Sequence, residues 1–217
     1  MRGVFITFEG IDGSGKSTQM ALLADHLNAE GVPHVVVREP GGTLVGERIR
    51  DMLLDRDARI CRETEVLLYV AARAQLVADV IRPSLAAGKV VISERFADST
   101  MAYQCYGFGF EREGIETVSF INRFATGGLL PDVTLLLDVP PSVGAQRRVM
   151  RRADRIEGRA EEYHHRVREG YLAIARAEPD RVRVIDATRP PGDVWLEVLT
   201  VLTPFITPFV RTPRQAP

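Results

Sequence analysis

Between an apolar run, Val4–Phe8, and a stretch of helical spacing, Thr18–Asn28, the chain reads Gly10-x-x-x-x-Gly15-Lys16-Ser17. Few patterns of eight residues constrain a fold so tightly. Glycines let successive backbone N–H groups turn inward around a phosphate, and the following helix adds the positive end of its dipole. Gly10, Ile11, Asp12, Gly13, Ser14, Gly15 and Thr18 are then the wall of a phosphate cradle. Lys16 reaches the β- and γ-oxygens, and the Ser17 hydroxyl sits on Mg2+. A purely structural glycine turn is the alternative, but it has no need of a strand before it and a helix after it.

The rest of the chain supplies a sheet behind that loop. Near-continuous branched apolar runs predict strands at HVVVRE (34–39), Lys89–Glu94, Val133–Val139 and Arg183–Ala187. Helical spacing predicts one helix through Ile49, Leu53 and Leu54 and another from Thr64 to about Leu85, with Pro83 bending or ending it. Further helices are expected at Arg112–Ala125, Ser142–Arg152 and Arg159–Ala177. Such alternation implies an α/β fold of the P-loop NTPase kind: a five-stranded parallel sheet with helices on both faces.

At 217 residues one domain is expected, over 1–203. After Leu202, "TPFITPFVRTPRQAP" carries four prolines, and 204–217 reads as a tail or surface arm. A net charge of −1 excludes a broadly basic protein that coats nucleic acid. Neither a signal-peptide pattern nor an apolar run of membrane-spanning length is present, so no membrane partner is expected. Cys61 and Cys105 lack metal-ligand spacing and read as reduced thiols of a cytoplasmic protein.

A GTPase needs a base-reading Asn-Lys-x-Asp, which is absent, and the small size argues against a motor or transporter ATPase. A small phosphotransferase remains, or a nucleotide-binding module without turnover. Tyr69 and Arg73 lie four apart, hence on one helix face, where a ring could stack on a pyrimidine and a guanidinium could donate to a base carbonyl; a surface pair is the plainer reading. Arg38 and Arg95 close predicted strands, at the edge where open parallel sheets bind ligands. Asp12 is an electrostatically awkward residue beside a triphosphate. Glu94, ending its strand, is placed to hold Mg2+ through water or to orient an acceptor.

Seven stretches in order carry a closer likeness: "FEGIDGSGKST", "REPGGT", "ERIRDMLL", "YVAARAQ", "SERFADSTMAYQ", "PDVTLLLDV" and "DRIE". Together they resemble the motifs of thymidylate kinases. The resemblance implies transfer of the ATP γ-phosphoryl to dTMP, giving dTDP on the way to dTTP, with Mg2+ as cofactor and a homodimer packed through helices. It implies that Arg38, Arg50 and Arg95 converge on the acceptor phosphate, with Arg38 and Arg95 the stronger candidates. Tyr69 and Arg73 would hold the thymine. Thr100, Tyr103 and Gln104 would close over base and sugar, with Tyr103 excluding a ribose 2′-hydroxyl; Glu39 and Ser99 complete the acceptor side. Asp12 would contact the sugar 3′-hydroxyl or a metal-bound water. This acceptor set argues against UMP or CMP as substrate. The family most often has Asp-Arg where this chain has Glu94-Arg95.

Some thymidylate kinases carry an arginine at the position of Gly13; others have glycine there and place the arginine in a lid. The resemblance puts this chain with the second kind. Its basic segment, about 147–159, holds Arg147, Arg148, Arg151, Arg152, Arg155 and Arg159. Arg151 and Arg152 are the candidates for the catalytic charge and Arg147 for stacking on adenine, with the Asp186–Pro190 turn along the adenine edge. On this reading an arginine placed at 13 should partly replace the lid's.

Overall fold

The computed structural model describes residues 2–147 and 155–210. Its five strands are β1 (Phe5–Glu9), β2 (His34–Arg38), β3 (Val90–Glu94), β4 (Val133–Asp138) and β5 (Val182–Asp186). They form one parallel sheet in the order β2-β3-β1-β4-β5. β1, β3 and β4 are buried almost throughout, whereas the edge strands expose Val36 and Val184. That contrast follows from position: a central strand is covered on both faces, so every side chain must be apolar or paired.

Alternate residues of β1 serve different layers. Phe5, with Val91 of β3, packs on Leu76, Val77, Ile81 and Leu85. Ile6 and Phe8 join the larger core that includes Leu23 and Leu27 of α1 (Lys16–Ala29) and Val198 of α9 (Pro191–Ile206). α2 (Leu44–Leu54) packs against α3 (Arg62–Leu76), and α3 in turn against α6 (Arg112–Thr126). α8 (Glu161–Ala177) lies along β4 and β5. α7 (Pro141–Arg147) covers the first part of the helix expected at Ser142–Arg152; the remainder falls outside the described residues.

The helix expected from Thr64 to about Leu85 is present over 62–86, with a π-turn inside it, and two other local features depart from the sequence reading. The helix from α3 runs on through a π-turn, Val77–Ile81, into α4 (Arg82–Ala86). Pro83 cannot donate to the carbonyl of Asp79 and would crowd it, and the wider turn absorbs both problems without ending the helix. Residues 97–106, not expected to be helical, form α5 (Ala97–Thr100) and a second π-turn, Met101–Tyr106. α9 continues past the expected boundary at 203 to Ile206, and a 3-10 turn follows at Thr207–Phe209. Pro204 is tolerated because it lies on the exposed side of the helix while Leu202 and Ile206 are buried, and the carbonyl it orphans, that of Thr200, also lies on the exposed side.

Candidate active site

The parallel register aligns the C-terminal ends of β1, β2 and β3, with Phe8 beside Glu94 and Glu94 beside Arg38. The phosphate loop leaves β1 at that edge and turns into α1 at Lys16. Gly15 caps the helix in the left-handed region at φ 97°. The Lys16 ammonium is buried and donates to the carbonyls of Gly10 and Ile11, 3.1 Å each. Burial, and then the nearby charge of Arg95, push its pKa down to about 8 against the partial support of Asp12, Glu94 and Glu9. Ser17 donates to the Glu94 carboxylate at 3.3 Å. A hydroxyl and a carboxylate side by side fit Mg2+, a hard cation that takes one or two protein oxygens and completes its shell with phosphate and water.

Gly13 has a local reason to be glycine. Its φ is 82°, and a Cβ there would lie 2.9 Å from both Cα and C of Gly144 on α7, and nearer still to its oxygen. A side chain at Gly144 would in turn reach to 2.6 Å from the carbonyl of Asp12. Loop and helix touch backbone to backbone. The expectation that an arginine at 13 could stand in for a lid arginine is therefore corrected: the site has no room for any side chain.

Arg95 organises the acceptor side. Among the described residues it is the one non-glycine with positive φ, 71°, which turns its side chain back from the end of β3 toward the loop. Its Nη1 donates to Gly10 O, the Ser99 hydroxyl and the Tyr171 hydroxyl at 3.0–3.1 Å. Its Nη2 pairs with Asp12 at 2.6 Å and donates to Tyr103 at 3.0 Å, with the guanidinium over the Tyr103 ring. Tyr103 donates its own proton to the other Asp12 oxygen at 3.0 Å. Burial would raise the Asp12 pKa, but the charges of Arg95 and Lys16 and these hydrogen bonds overcome it and hold the carboxyl well below the usual range. Asp12 is thus a fixed anion, tied to its neighbours rather than awkward.

A cleft of about 600 Å3 opens over this edge. From the phosphate side it is lined by Asp12, Gly13, Gly15, Lys16, Ser17 and Thr18, while Gly10, Ile11 and Ser14 are buried and do not line it. From the acceptor side come Arg38, Glu39, Arg50, Tyr69, Glu94, Arg95, Ser99, Tyr103 and Gln104. Arg38 is half-exposed and paired with Glu47, while Arg50 is better held, donating to Pro40 O at 2.8 Å. The ranking of Arg50 below Arg38 has no support in this geometry.

Arg73 and Thr100 do not line the cleft. Arg73 is buried behind it, donating to Glu39, Thr100, Asn122 and the Phe96 carbonyl at 2.6–3.0 Å. The expectation that Arg73 reaches a base carbonyl gives way to a different arrangement, in which it buttresses Glu39 and Thr100 from behind. Burial raises the Glu39 pKa to about 7 despite the Arg73 charge.

Arg147 bridges the phosphate loop and the Asp186–Pro190 turn, donating to Ala187 O at 3.0 Å from both terminal nitrogens and lining the cleft beside Gly13. Arg148, Arg151 and Arg152 lie outside the described residues.

Sequence reasoning missed Glu9, Tyr171 and Glu65. Glu9 ends β1 fully buried, accepting from Phe96 N and Ser99 at 2.6 Å and from Tyr171 at 2.8 Å. Burial and then Asp98 raise its pKa. Glu65, on α3, accepts from Gln104, Arg155 and Arg159. A buried acid four residues before Tyr69 and eight before Arg73, on the same helix face, was a usable signal for Glu65; Glu9 offered none, because its partners are far along the chain.

The site's geometry meets its relatives at this point. A family model described as thymidylate kinase matches residues 8–198. A thymidylate kinase of Pelotomaculum thermopropionicum is 50% identical over the whole of both chains. One from Caldanaerobacter subterraneus subsp. tengcongensis is 50% identical over 86% of this chain and 88% of its own. Among solved structures, the thymidylate kinase of Ehrlichia chaffeensis superposes with a TM-score of 0.76 at 37% identity, covering 94% of this chain and 99% of the other. A phosphate loop tied through Asp12 to Arg95 at the edge of one cleft, on a sheet of this order and with sequence kinship along nearly its whole length, makes the chain a member of the thymidylate kinase family.

Proposed function

We propose that the enzyme transfers the γ-phosphoryl of ATP directly, in line, to the phosphate of dTMP, giving dTDP and ADP. The observation that carries this reading is the Asp12–Arg95 ion pair at 2.6 Å, which joins the phosphate loop to the acceptor wall of a single cleft. The donor lies on the loop, held by its N–H groups and Lys16, with Arg147 beside the adenine. The acceptor lies opposite, its phosphate between Arg38, Arg50 and Arg95 and its base against Tyr69 and Gln104.

A monophosphate with a second pKa near 6 is already anionic at pH 7, so no general base is required. The work is positioning and charge neutralisation. Asp12 aims Arg95 at the acceptor phosphate; Tyr103 fixes Asp12 and walls off the sugar; Lys16 neutralises the moving phosphoryl. Bound between Ser17, Glu94 and the phosphates, Mg2+ would spread that negative charge. Arg151 and Arg152 supply the remaining positive charge from the basic segment.

We read the enzyme as a homodimer: Phe120 and Phe124, four apart on α6, are 62% and 81% exposed, which is apolar surface a partner helix would cover. The free thiols of Cys61 and Cys105 suit the cytoplasm. A coupled ADP-release assay across the nucleoside monophosphates tests the acceptor. Turnover fastest with dTMP is expected; faster turnover with UMP or CMP would overturn the assignment.

A further inference from the structure

Glu65 is 1% exposed, yet it is a charged residue that touches neither loop nor phosphate side. Its Oε2 is ion-paired to Arg155 at 2.8 Å and to Arg159 at 2.6 Å. Its Oε1 accepts from Gln104 Nε2 at 3.0 Å. A carboxylate in two ion pairs has no proton to give, so it can only accept, and the atom of Gln104 that faces it must be the amino nitrogen. The other end of that amide is then settled. Gln104 lines the cleft, and its Oε1 receives no hydrogen bond from the described residues.

We infer that Glu65 is a specificity-determining positioning residue: it locks the Gln104 amide with its carbonyl oxygen toward the acceptor base. The inference rests on the reading of the cleft as a site for dTMP. A carbonyl oxygen at that position accepts from an imino N–H, which thymine and uracil carry at N3. Cytosine has an unprotonated N3, an acceptor facing an acceptor. Two arginines from the segment after 154 hold Glu65 in place, so base selection depends on residues that never touch the base. Arg155 also donates to Leu53 O at 2.9 Å, which pins the same segment to the end of α2.

The test uses two acceptors that differ only at the base edge, dTMP and 5-methyl-2′-deoxycytidine 5′-monophosphate. The wild type should favour dTMP in kcat/KM by at least about a thousandfold, as sites built around a hydrogen bond do. Glu65→Gln keeps size and hydrogen bonding but can either accept from or donate to Gln104, so the amide is free to turn. The preference should narrow at least about tenfold. A merely structural role predicts that both acceptors fall by one factor and the ratio stays put, which would overturn the inference. Should Glu65→Gln not fold, Glu65→Asp, which keeps the charge but withdraws the carboxylate from Gln104, decides: narrowing supports the inference and an unchanged ratio overturns it. A wild type that phosphorylates neither acceptor overturns the dTMP reading itself, and the inference with it.

Discussion

Replacing Gly13 by alanine should disable the enzyme more than a single methyl suggests. In its left-handed conformation the alanine costs about 1–2 kcal/mol before any contact is counted. Its Cβ would also lie 2.9 Å from two carbons of Gly144, where carbon pairs rest at about 3.5–4.0 Å. Loop and α7 must part by roughly 0.5–1 Å. Misplacement of that size near reacting groups costs about a hundredfold in rate. We therefore expect kcat/KM for ATP to fall about a hundredfold at saturating dTMP in a coupled ADP-release assay. Destabilisation of about 2 kcal/mol should lower Tm by roughly 4–8 °C. Gly144→Ala separates the two causes, because it creates the same contact from the other side, against the Asp12 carbonyl, at a position without positive φ. It should lose a similar amount of activity and less stability. If both variants keep kcat/KM within threefold of wild type, the contact between loop and α7 has no catalytic weight and the reasoning fails. Gly13→Arg, being larger, should be inactive and should not restore a lid variant.

Lys16→Ala should reduce turnover at least about a hundredfold, or ~3 kcal/mol, and a folded variant keeping a tenth of the wild-type rate would refute its role. Tyr103→Phe loses the hydrogen bond to Asp12 and should lower kcat/KM for dTMP about tenfold while keeping the preference over ribo-TMP; Tyr103→Ala should lose that preference too, and steady-state comparison of the two acceptors checks both. Arg151→Ala combined with Arg152→Ala should cut kcat roughly a thousandfold with little change in the Kd for dTMP, and near-normal kcat would remove these arginines from the mechanism.

What the sequence disclosed is what is local. The runs FITFE, VVISE and VTLLLD announce central strands because burial on both faces demands unbroken apolar character, and the glycine pattern announces the loop. Spacing also put Tyr69 and Arg73 on one helix face, correctly. It could not give depth: Tyr69 reaches the cleft while Arg73, a turn later, is swallowed between Glu39 and Asn122. The left-handed backbone of Arg95 and the π-turn under Tyr103 and Gln104 are equally invisible, since both arise from tertiary demands on residues whose intrinsic preferences are ordinary. Glu9 is invisible in the sequence because a buried acid is recognised by its partners, and those lie 87 to 162 positions away; the partners of Glu65 lie 39 to 94 positions away, and only its helical spacing from Tyr69 marks it.

The buried Lys16 yields a prediction that needs no substitution. Its folded pKa of about 8 lies below the value of an exposed lysine, so between about pH 8 and 10.5 the folded protein binds fewer protons than the unfolded chain. Stability therefore gains with rising pH across that window, and below pH 8 the full cost of a buried ammonium beside Arg95 is in force. Triphosphate oxygens at the loop reverse the balance by supplying the negative charge that burial withholds, and so raise the pKa on binding. At pH 8.5 about a quarter of free Lys16 is protonated and nearly all of the bound form, so ATP should bring roughly three quarters of a proton with it; at pH 7 the uptake should be only about a tenth. Calorimetric titration of Mg-ATP in two buffers of different ionisation enthalpy reads the proton directly. Affinity should weaken as pH rises above 8, toward tenfold per unit. Equal proton uptake at pH 7 and 8.5 would show that Lys16 is charged throughout, and that the loop carbonyls of Gly10 and Ile11 already hold the ammonium as well as phosphate does.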